Sequence, residues 1–411
     1  MSHWTNWSGG VVCTPQRIAT PASEAEVIDL VRRAARTGAP VRVAGSGHSF
    51  TPLCATAGLL LSLDALQGVV EVDHAAGEAT VWAGSKLYAL GDPLWQHGLA
   101  MTNLGDIDRQ SLAGAISTGT HGTGHTLGNL STQVAALRLV TASGELIDCS
   151  PTQEPDLLPA AALSLGSLGV ITRITLRLLP AYYLHERSWV ASFEETLAGL
   201  EELVTANRHF EFFWTPQEDR CAIKTLNPVE LTPEDEALTP IDLGWATGDQ
   251  VSGRLARYVR TQRIDRSYRI LPSERTLKFN ESEYAVPAAN GPACLAELRQ
   301  MMRSRHPNVA WPIEYRTLAA DELWLSPAYG RATVTISIHQ AAELPYGDFF
   351  AAAEAIFRNH QGRPHWGKIH TQRADELAGR YPCWERFQTV RRRLDPQGRF
   401  LNEHLATLLG K

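Results

Sequence analysis

Val41-Arg42-Val43-Ala44-Gly45-Ser46-Gly47-His48-Ser49-Phe50 is a short β-type run that stops abruptly in a turn of glycine and serine. Just upstream, Ser23-Glu24-Ala25-Glu26 has the form of a capping box, with Ser23 placed to cap and Glu26 three positions on. Val27, Leu30, Val31, Ala34 and Ala35 follow at helical spacing, and Gly38 closes the helix. A helix, a strand and a glycine turn in succession suggest a nucleotide site, but not a Rossmann fingerprint. The third glycine is absent, Pro52 follows, and no long helix begins there. The small residues Ala44, Gly45, Ser46, Gly47 and Ser49 expose backbone N–H groups in a tight turn, and such a nest can hold a diphosphate without a lysine.

Two further segments share this character. Asn103-Leu104-Gly105-Asp106-Ile107-Asp108-Arg109-Gln110-Ser111-Leu112-Ala113-Gly114 runs on to Thr118-Gly119-Thr120-His121-Gly122-Thr123-Gly124, and Gly166-Ser167-Leu168-Gly169-Val170-Ile171 leads into a β-rich stretch. Glycine permits close backbone approach, and the hydroxyls of Ser111, Thr118 and Thr120 supply hydrogen bonds. One such turn is usually only a turn. Three of them, each expected at a strand end, fit a long ligand such as FAD lying across several loops.

Around these loops the chain reads as α+β. Short apolar runs at 59–63, 69–72 and 80–82 are bounded by Gly or Asp, and 135–141 with 145–148 reads as a hairpin through Ser143-Gly144. Beyond Tyr182 charged helical stretches such as 194–207 alternate with strand-like runs such as 211–214. Residues 228–242 read as a polar loop, and 349–359 as a helix. The 411 residues exceed one compact core. Two domains are expected, with a boundary near residue 181. A formal charge of −6 speaks against nucleic acid or an anionic membrane as partner. No run approaches the ~18–20 apolar residues of a membrane span. Six dispersed cysteines, with no C-x-x-C pair and no secretory signal, speak for free thiols, a cytoplasmic location and no metal site. The oligomeric state is not legible.

Three features mark the second half. In a strand, Glu314 and Arg316 project to one face; the plain alternative is a surface ion pair. Ala332–His339 alternates Val334, Ile336 and Ile338 with Thr333, Thr335, Ser337 and His339, so one face is polar. Arg363-Pro364-His365-Trp366-Gly367-Lys368 packs two aromatic rings, a glycine and a lysine into six residues.

VRVAGSGHSF and TNLGDIDRQSLAGAISTGTHGTG resemble the flavin domain of the vanillyl-alcohol oxidase superfamily, most closely its aldonolactone oxidases, with alditol oxidases as near relatives. The resemblance runs from about Val11 to the C-terminus. It implies a PCMH-type (VAO-type) FAD-binding domain over 1–181, an α+β substrate or cap domain over 182–360, and a segment 361–411 returning to the flavin domain. It places His48 at the covalent 8α-histidyl attachment of FAD, a bond that a neutral imidazole can make with the flavin's methide tautomer, and that raises the flavin's potential. His121 lies near the cofactor by family position, without being the attachment site. Ala44, Gly45, Ser46, Gly47, Ser49, Gly105, Asp106, Ser111, Gly114, Thr118, Gly119, Thr120, Gly169, Ile171, His365 and Lys368 are the further cofactor contacts implied. HWGK, residues 365–368, resembles the motif whose lysine lines the substrate pocket together with an E-x-R pair, here Glu314 and Arg316.

Oxidising a carbinol needs a base for the hydroxyl proton and positive charge beside the reduced flavin. Arg316 and Lys368 can supply the charge. Asp106, Glu314, Arg316, Ser337, His339 and Lys368 are the expected substrate contacts, and Glu314, His339 and Lys368 all remain open as the base. Asp106 stands where alditol oxidases carry serine, and so points to a lactone. Gly105 leaves room for molecular oxygen. The expected activity is oxidation of an aldono-1,4-lactone to its 2-keto lactone with release of hydrogen peroxide. The alternatives are a polyol (xylitol- or sorbitol-type) substrate, a dehydrogenase with another acceptor, a flavin-binding module with a degenerate site, and a scaffold turned to a larger substrate.

Overall fold

The computed structural model describes residues 3–245, 255–260, 262–273 and 277–410. The first helix spans Glu24–Thr37. Ser23 Oγ accepts from the Glu26 N–H, while the Glu26 carboxylate reaches one residue further, to the Ala22 N–H; Gly38 closes the helix at φ +76°. Its buried residues, Val27, Val31 and Ala34, belong to the core of the first half, which a three-stranded parallel sheet ordered Arg17–Ala19, Leu59–Ser62, Val41–Ala44 shares through Val41, Leu59 and Leu61. A five-stranded antiparallel sheet is ordered Leu146–Cys149, Val134–Val140, Val170–Arg177, Glu78–Trp82, Val69–Asp73. Its first two strands form the hairpin through Ser143-Gly144, with Gly144 at φ +79°.

From Tyr183 onward the chain builds one nine-stranded sheet, ordered Ile241–Asp242, Arg263–Arg266, Tyr183–Ser192, Arg220–Val229, His209–Thr215, Ile313–Leu318, Thr333–Ala341, Phe279–Pro287, Arg363–Pro364. The period of two along each strand divides its faces. Phe212, Trp214, Ile223, Tyr284, Val286, Ile313, Tyr315, Val334, Ile336 and Ile338 bury against the helices Gly291–Arg305 and Gly347–Asn359, through Leu295, Leu298, Met302, Phe350 and Phe357. The residues between them turn charged side chains to the other face, which looks toward the glycine-rich loops of the first half. Two local expectations change. The helical stretch 194–207 is two short helices, Phe193–Ala198 and Leu200–Thr205, broken at Gly199. Within 228–242, the residues Pro233–Leu238 form a short helix with no buried residue.

The last fifty residues join both halves. Arg363–Pro364 is still an edge strand of the large sheet. The chain then crosses. His365 and Ile369 donate their N–H groups to the carbonyls of Glu283 and Glu281, and the Gly367 carbonyl accepts from Phe50 N at 2.7 Å. Trp366 Nε1 donates to the Leu325 carbonyl at 2.6 Å. The helices Trp384–Leu394 and Glu403–Leu409 pack into the first half's core through Phe387, Leu394, Leu405, Leu408 and Leu409. No helix among the described residues is long and apolar enough to cross a membrane.

Candidate active site

Two cavities meet at His48, Ser49, Gln110 and Thr118, which line both. The narrow one, about 100 Å³, is walled by Ala44, Gly45, Ser46, Gly47, Ser111, Gly114, Gly169 and Ile171. The wide one, about 560 Å³, lies between the loops and the charged face of the large sheet.

The narrow cavity suits the diphosphate of a dinucleotide. The N–H groups of Ser46, Gly47, His48 and Ser49 donate to no acceptor among the described residues, so a ready nest faces the void. A Cβ at Gly45 would stand 2.1 Å from Ser111 Oγ, so glycine is what lets these two loops close on each other. The cations nearby are already engaged. Lys86 Nζ binds Asp64 at 2.7 Å and Ser46 Oγ at 3.1 Å. Arg42, only 3% exposed, spends its guanidinium on the carbonyls of Leu53, Leu165, Gly166 and Phe400 at 2.5–2.9 Å. It thereby ties the first glycine loop, the third, and the C-terminal segment together. Arg42 was invisible in the sequence as anything but a residue in a short strand. The second glycine segment is not a simple strand-end loop: it contains the helix Leu112–Thr118, closed by Gly119 at φ +75°. Gly119 lines neither cavity; a Cβ there would press on Leu163.

The wide cavity gathers Gly105, Asp106, Thr120, His121, Glu314, Arg316, His339, His365 and Lys368. Strand register explains the grouping. Lys224, Glu211, Arg316 and Thr335 lie directly across from one another in one row, and Phe213, Glu314, Ser337 and Glu283 in the next. Arg316 Nε donates to Glu211 Oε2 at 2.7 Å, its Nη2 pairs with Glu314, and Asp106 Oδ2 lies 3.8 Å away. Burial disfavours the charge on Glu211, yet Lys224 (3.0 Å) and Arg316 outweigh it and hold the carboxyl far below its usual range. Asp106 also accepts from Ser273 Oγ at 2.6 Å.

Glu281 and Glu283, two apart on Phe279–Pro287 and each 4% exposed, were missed. Glu281 holds Lys368 Nζ and lies 3.7 Å from His339 Nε2; His339 Nδ1 lies 3.1 Å from the Pro312 carbonyl. Glu283 receives His121 Nε2 at 2.6 Å and Ser337 Oγ at 2.9 Å. Burial disfavours the charge on both carboxyls, yet both are held below the usual range, Glu281 by Lys368 and His339, and Glu283 above all by His121. Ser337 thus stands between Glu314 and Glu283 in their row, turns its hydroxyl to Glu283, and does not line the cavity. The signal for the pair was present, since acids at alternate positions of a strand share a face, but only the fold shows that this face is enclosed.

Burial, then Lys368, Lys86 and Arg109, push His48 down to about 4, so its imidazole is neutral and nucleophilic at neutral pH. Burial likewise takes His209, His365 and His404 to about 4 and His370 to about 3. An unfolded chain protonates these rings near pH 6.5. Between pH 6.5 and about 4 it therefore binds protons that the folded chain refuses, so stability is full above 6.5 and falls as pH drops through that window. Calorimetry is expected to show a level unfolding temperature from pH 8 to 7 and a decline of several degrees per unit below 6.5, shallower in His370→Phe. A profile flat down to pH 5 contradicts this.

The family described as "FAD binding domain" matches residues 15–150, and the one described as "D-arabinono-1,4-lactone oxidase" matches residues 174–408. The cholesterol oxidase of B. sterolicum superposes with a TM-score of 0.85 over 99% of this chain and 96% of its own, at 16% identity, which speaks for the fold alone. A chain so folded, with an amide nest opening into a charged chamber, is an FAD-dependent oxidoreductase on a VAO-type scaffold. It is 41% identical to the L-gulono-1,4-lactone dehydrogenase of Mycobacterium tuberculosis, over 99% of both chains. It is 30% identical to the L-gulonolactone oxidase of Mus musculus (97% of this chain, 96% of the other) and 32% identical to the alditol oxidase of a Streptomyces species (98% of each). The chain belongs to the aldonolactone oxidase family.

Proposed function

We propose that this enzyme oxidises an aldono-1,4-lactone to its 2-keto lactone, with FAD bound covalently through His48 and molecular oxygen as the acceptor. The observation that carries the proposal is the meeting of the two cavities at His48, with Glu314, Arg316, His339 and Lys368 around the wider one. Bound FAD supplies the hydride acceptor. Among the protein groups, Arg316 and Lys368 present N–H donors to lactone oxygens, and Glu314 and Asp106 accept from ring hydroxyls. Lys368, clamped by Glu281, serves as a donor. The hydroxyl proton is assigned to His339 Nε2: Nδ1 faces the Pro312 carbonyl, which fixes that proton there, and Glu281 Oε1 stands 3.7 Å away to stabilise the imidazolium formed. Gly105 keeps its stretch of cavity wall bare, which favours oxygen; a Cβ there would meet Thr120 Cγ2 at 3.0 Å.

Peroxide release with gulono-1,4-lactone, arabinono-1,4-lactone, xylitol and sorbitol tests the proposal. Peroxide is expected with a lactone and not with the polyols, and His339→Gln is expected to lower kcat by about 10²–10⁴ while the lactone still binds. Dye reduction by a lactone without peroxide would instead make the enzyme a dehydrogenase. Acid precipitation is expected to leave the yellow colour in the pellet, with the intact mass raised by one FAD.

A further inference from the structure

We propose that Trp7 and Asn6 are positioning residues that hold the His48 imidazole in its attacking pose, so that the N-terminal hairpin acts as a template for flavin attachment. The inference rests on the covalent reading above. Trp4–Thr5 pairs with Val12–Cys13, and the turn between them lies against the loop that carries His48. Two hydrogen bonds straddle that histidine: Trp7 N donates to the Gly47 carbonyl at 2.8 Å, and Asn6 Nδ2 donates to the Ser49 carbonyl at 2.9 Å. Asn6, 4% exposed, is itself fixed, because its Oδ1 accepts from Val11 N at 2.9 Å and its Nδ2 also reaches Ser8 Oγ at 3.1 Å. Gly47 sits at φ +72°, and a Cβ there would meet Asn6 Cα at 3.3 Å, so the close approach of hairpin and loop needs glycine.

The Trp7 indole then stacks on the imidazole, with ring centroids 5.5 Å apart and planes 28° from parallel. Phe279 and Phe50 brace the indole edgewise at 5.3 and 6.4 Å. An imidazole covered on one face, with its backbone tied on both sides, has lost most of its rotational freedom before the flavin arrives. Prepaid orientation of this kind raises the rate of bond formation. In the step itself, an imidazole nitrogen bonds to the flavin 8α-methyl carbon. The attacking nitrogen uses its lone pair; one proton leaves the methyl and one leaves the other ring nitrogen, and the electron pair left on the flavin passes to molecular oxygen, giving hydrogen peroxide.

The test compares wild type, Trp7→Leu, Trp7→Phe and Asn6→Ala. Total FAD per chain is read from absorbance, and the covalent share from acid precipitation and intact mass, after timed incubation of apoprotein with FAD. Trp7→Leu is expected to bind as much FAD as wild type but to attach it at least fivefold more slowly. Trp7→Phe should keep most of the rate, and Asn6→Ala should fall between. Attachment by Trp7→Leu at the wild-type rate, or a covalent share that falls only in step with total FAD, overturns the inference alone. A wild-type chain that releases all its flavin in acid overturns the covalent reading and this inference with it.

Discussion

Arg316→Met is expected to lower stability by about 3–5 kcal/mol, the usual cost of removing one partner from a buried ion pair, and to cut turnover by about 10²–10³, as loss of a preorganised donor does. Two carboxylates, Glu211 and Glu314, lose the guanidinium that lies between them. Glu211 keeps Lys224 at 3.0 Å, while Glu314, 5% exposed, loses the guanidinium that it pairs with. Glu314→Gln in the methionine background should therefore recover part of the stability and none of the turnover. Urea denaturation and steady-state kinetics on the two variants check both halves of the prediction. A loss below about 1 kcal/mol would show that the row is screened like a surface pair.

Arg42→Met carries the second large effect, in the flavin half. Four carbonyls, of Leu53, Leu165, Gly166 and Phe400, lose their donor at once. A buried acceptor without a partner costs about 1–3 kcal/mol, and partial relaxation should leave a net loss of about 3–5 kcal/mol. The loss should appear first as FAD retention, because three of those carbonyls, of Leu53, Leu165 and Gly166, belong to residues that wall the narrow cavity. Arg42→Lys should fail almost as badly: burial takes even the guanidinium down to about 10, and an ammonium cannot span four acceptors in the plane of a fork. FAD content after gel filtration, set against the unfolding temperature, is the measurement. Full flavin retention in the lysine variant would show that charge alone holds the loops.

Local pattern exposed part of this site and concealed the rest, for physical reasons. The turn after Val41–Ala44 was readable because glycine and serine in a break of pattern have few other uses, and Glu314 with Arg316 because a strand's period of two fixes a shared face. Alternation tells which face a residue takes but not how deep it lies. Ser337 was therefore expected at the substrate, although it sits low between Glu314 and Glu283 with its hydroxyl given to Glu283. Glu211, Lys224, Glu281 and Glu283 acquire their roles only through register between strands far apart in the chain, which no local pattern encodes. The helix Leu112–Thr118 escaped notice because its Gly, Ser and Thr are weak helix formers that read equally well as a loop.

The final crossing of the chain decides how the catalyst can move. From Arg363 to Ile369 the backbone is bonded to the large sheet on one side and to Phe50 on the other, and the helices that follow are sunk in the first core. Swinging the halves apart like a clamshell would tear out this seam. The wide cavity is thus a fixed vessel whose dimensions are set when the C-terminus docks, and a chain cut short before Arg363 would lose Lys368 and the stitch that keeps the walls at their distance.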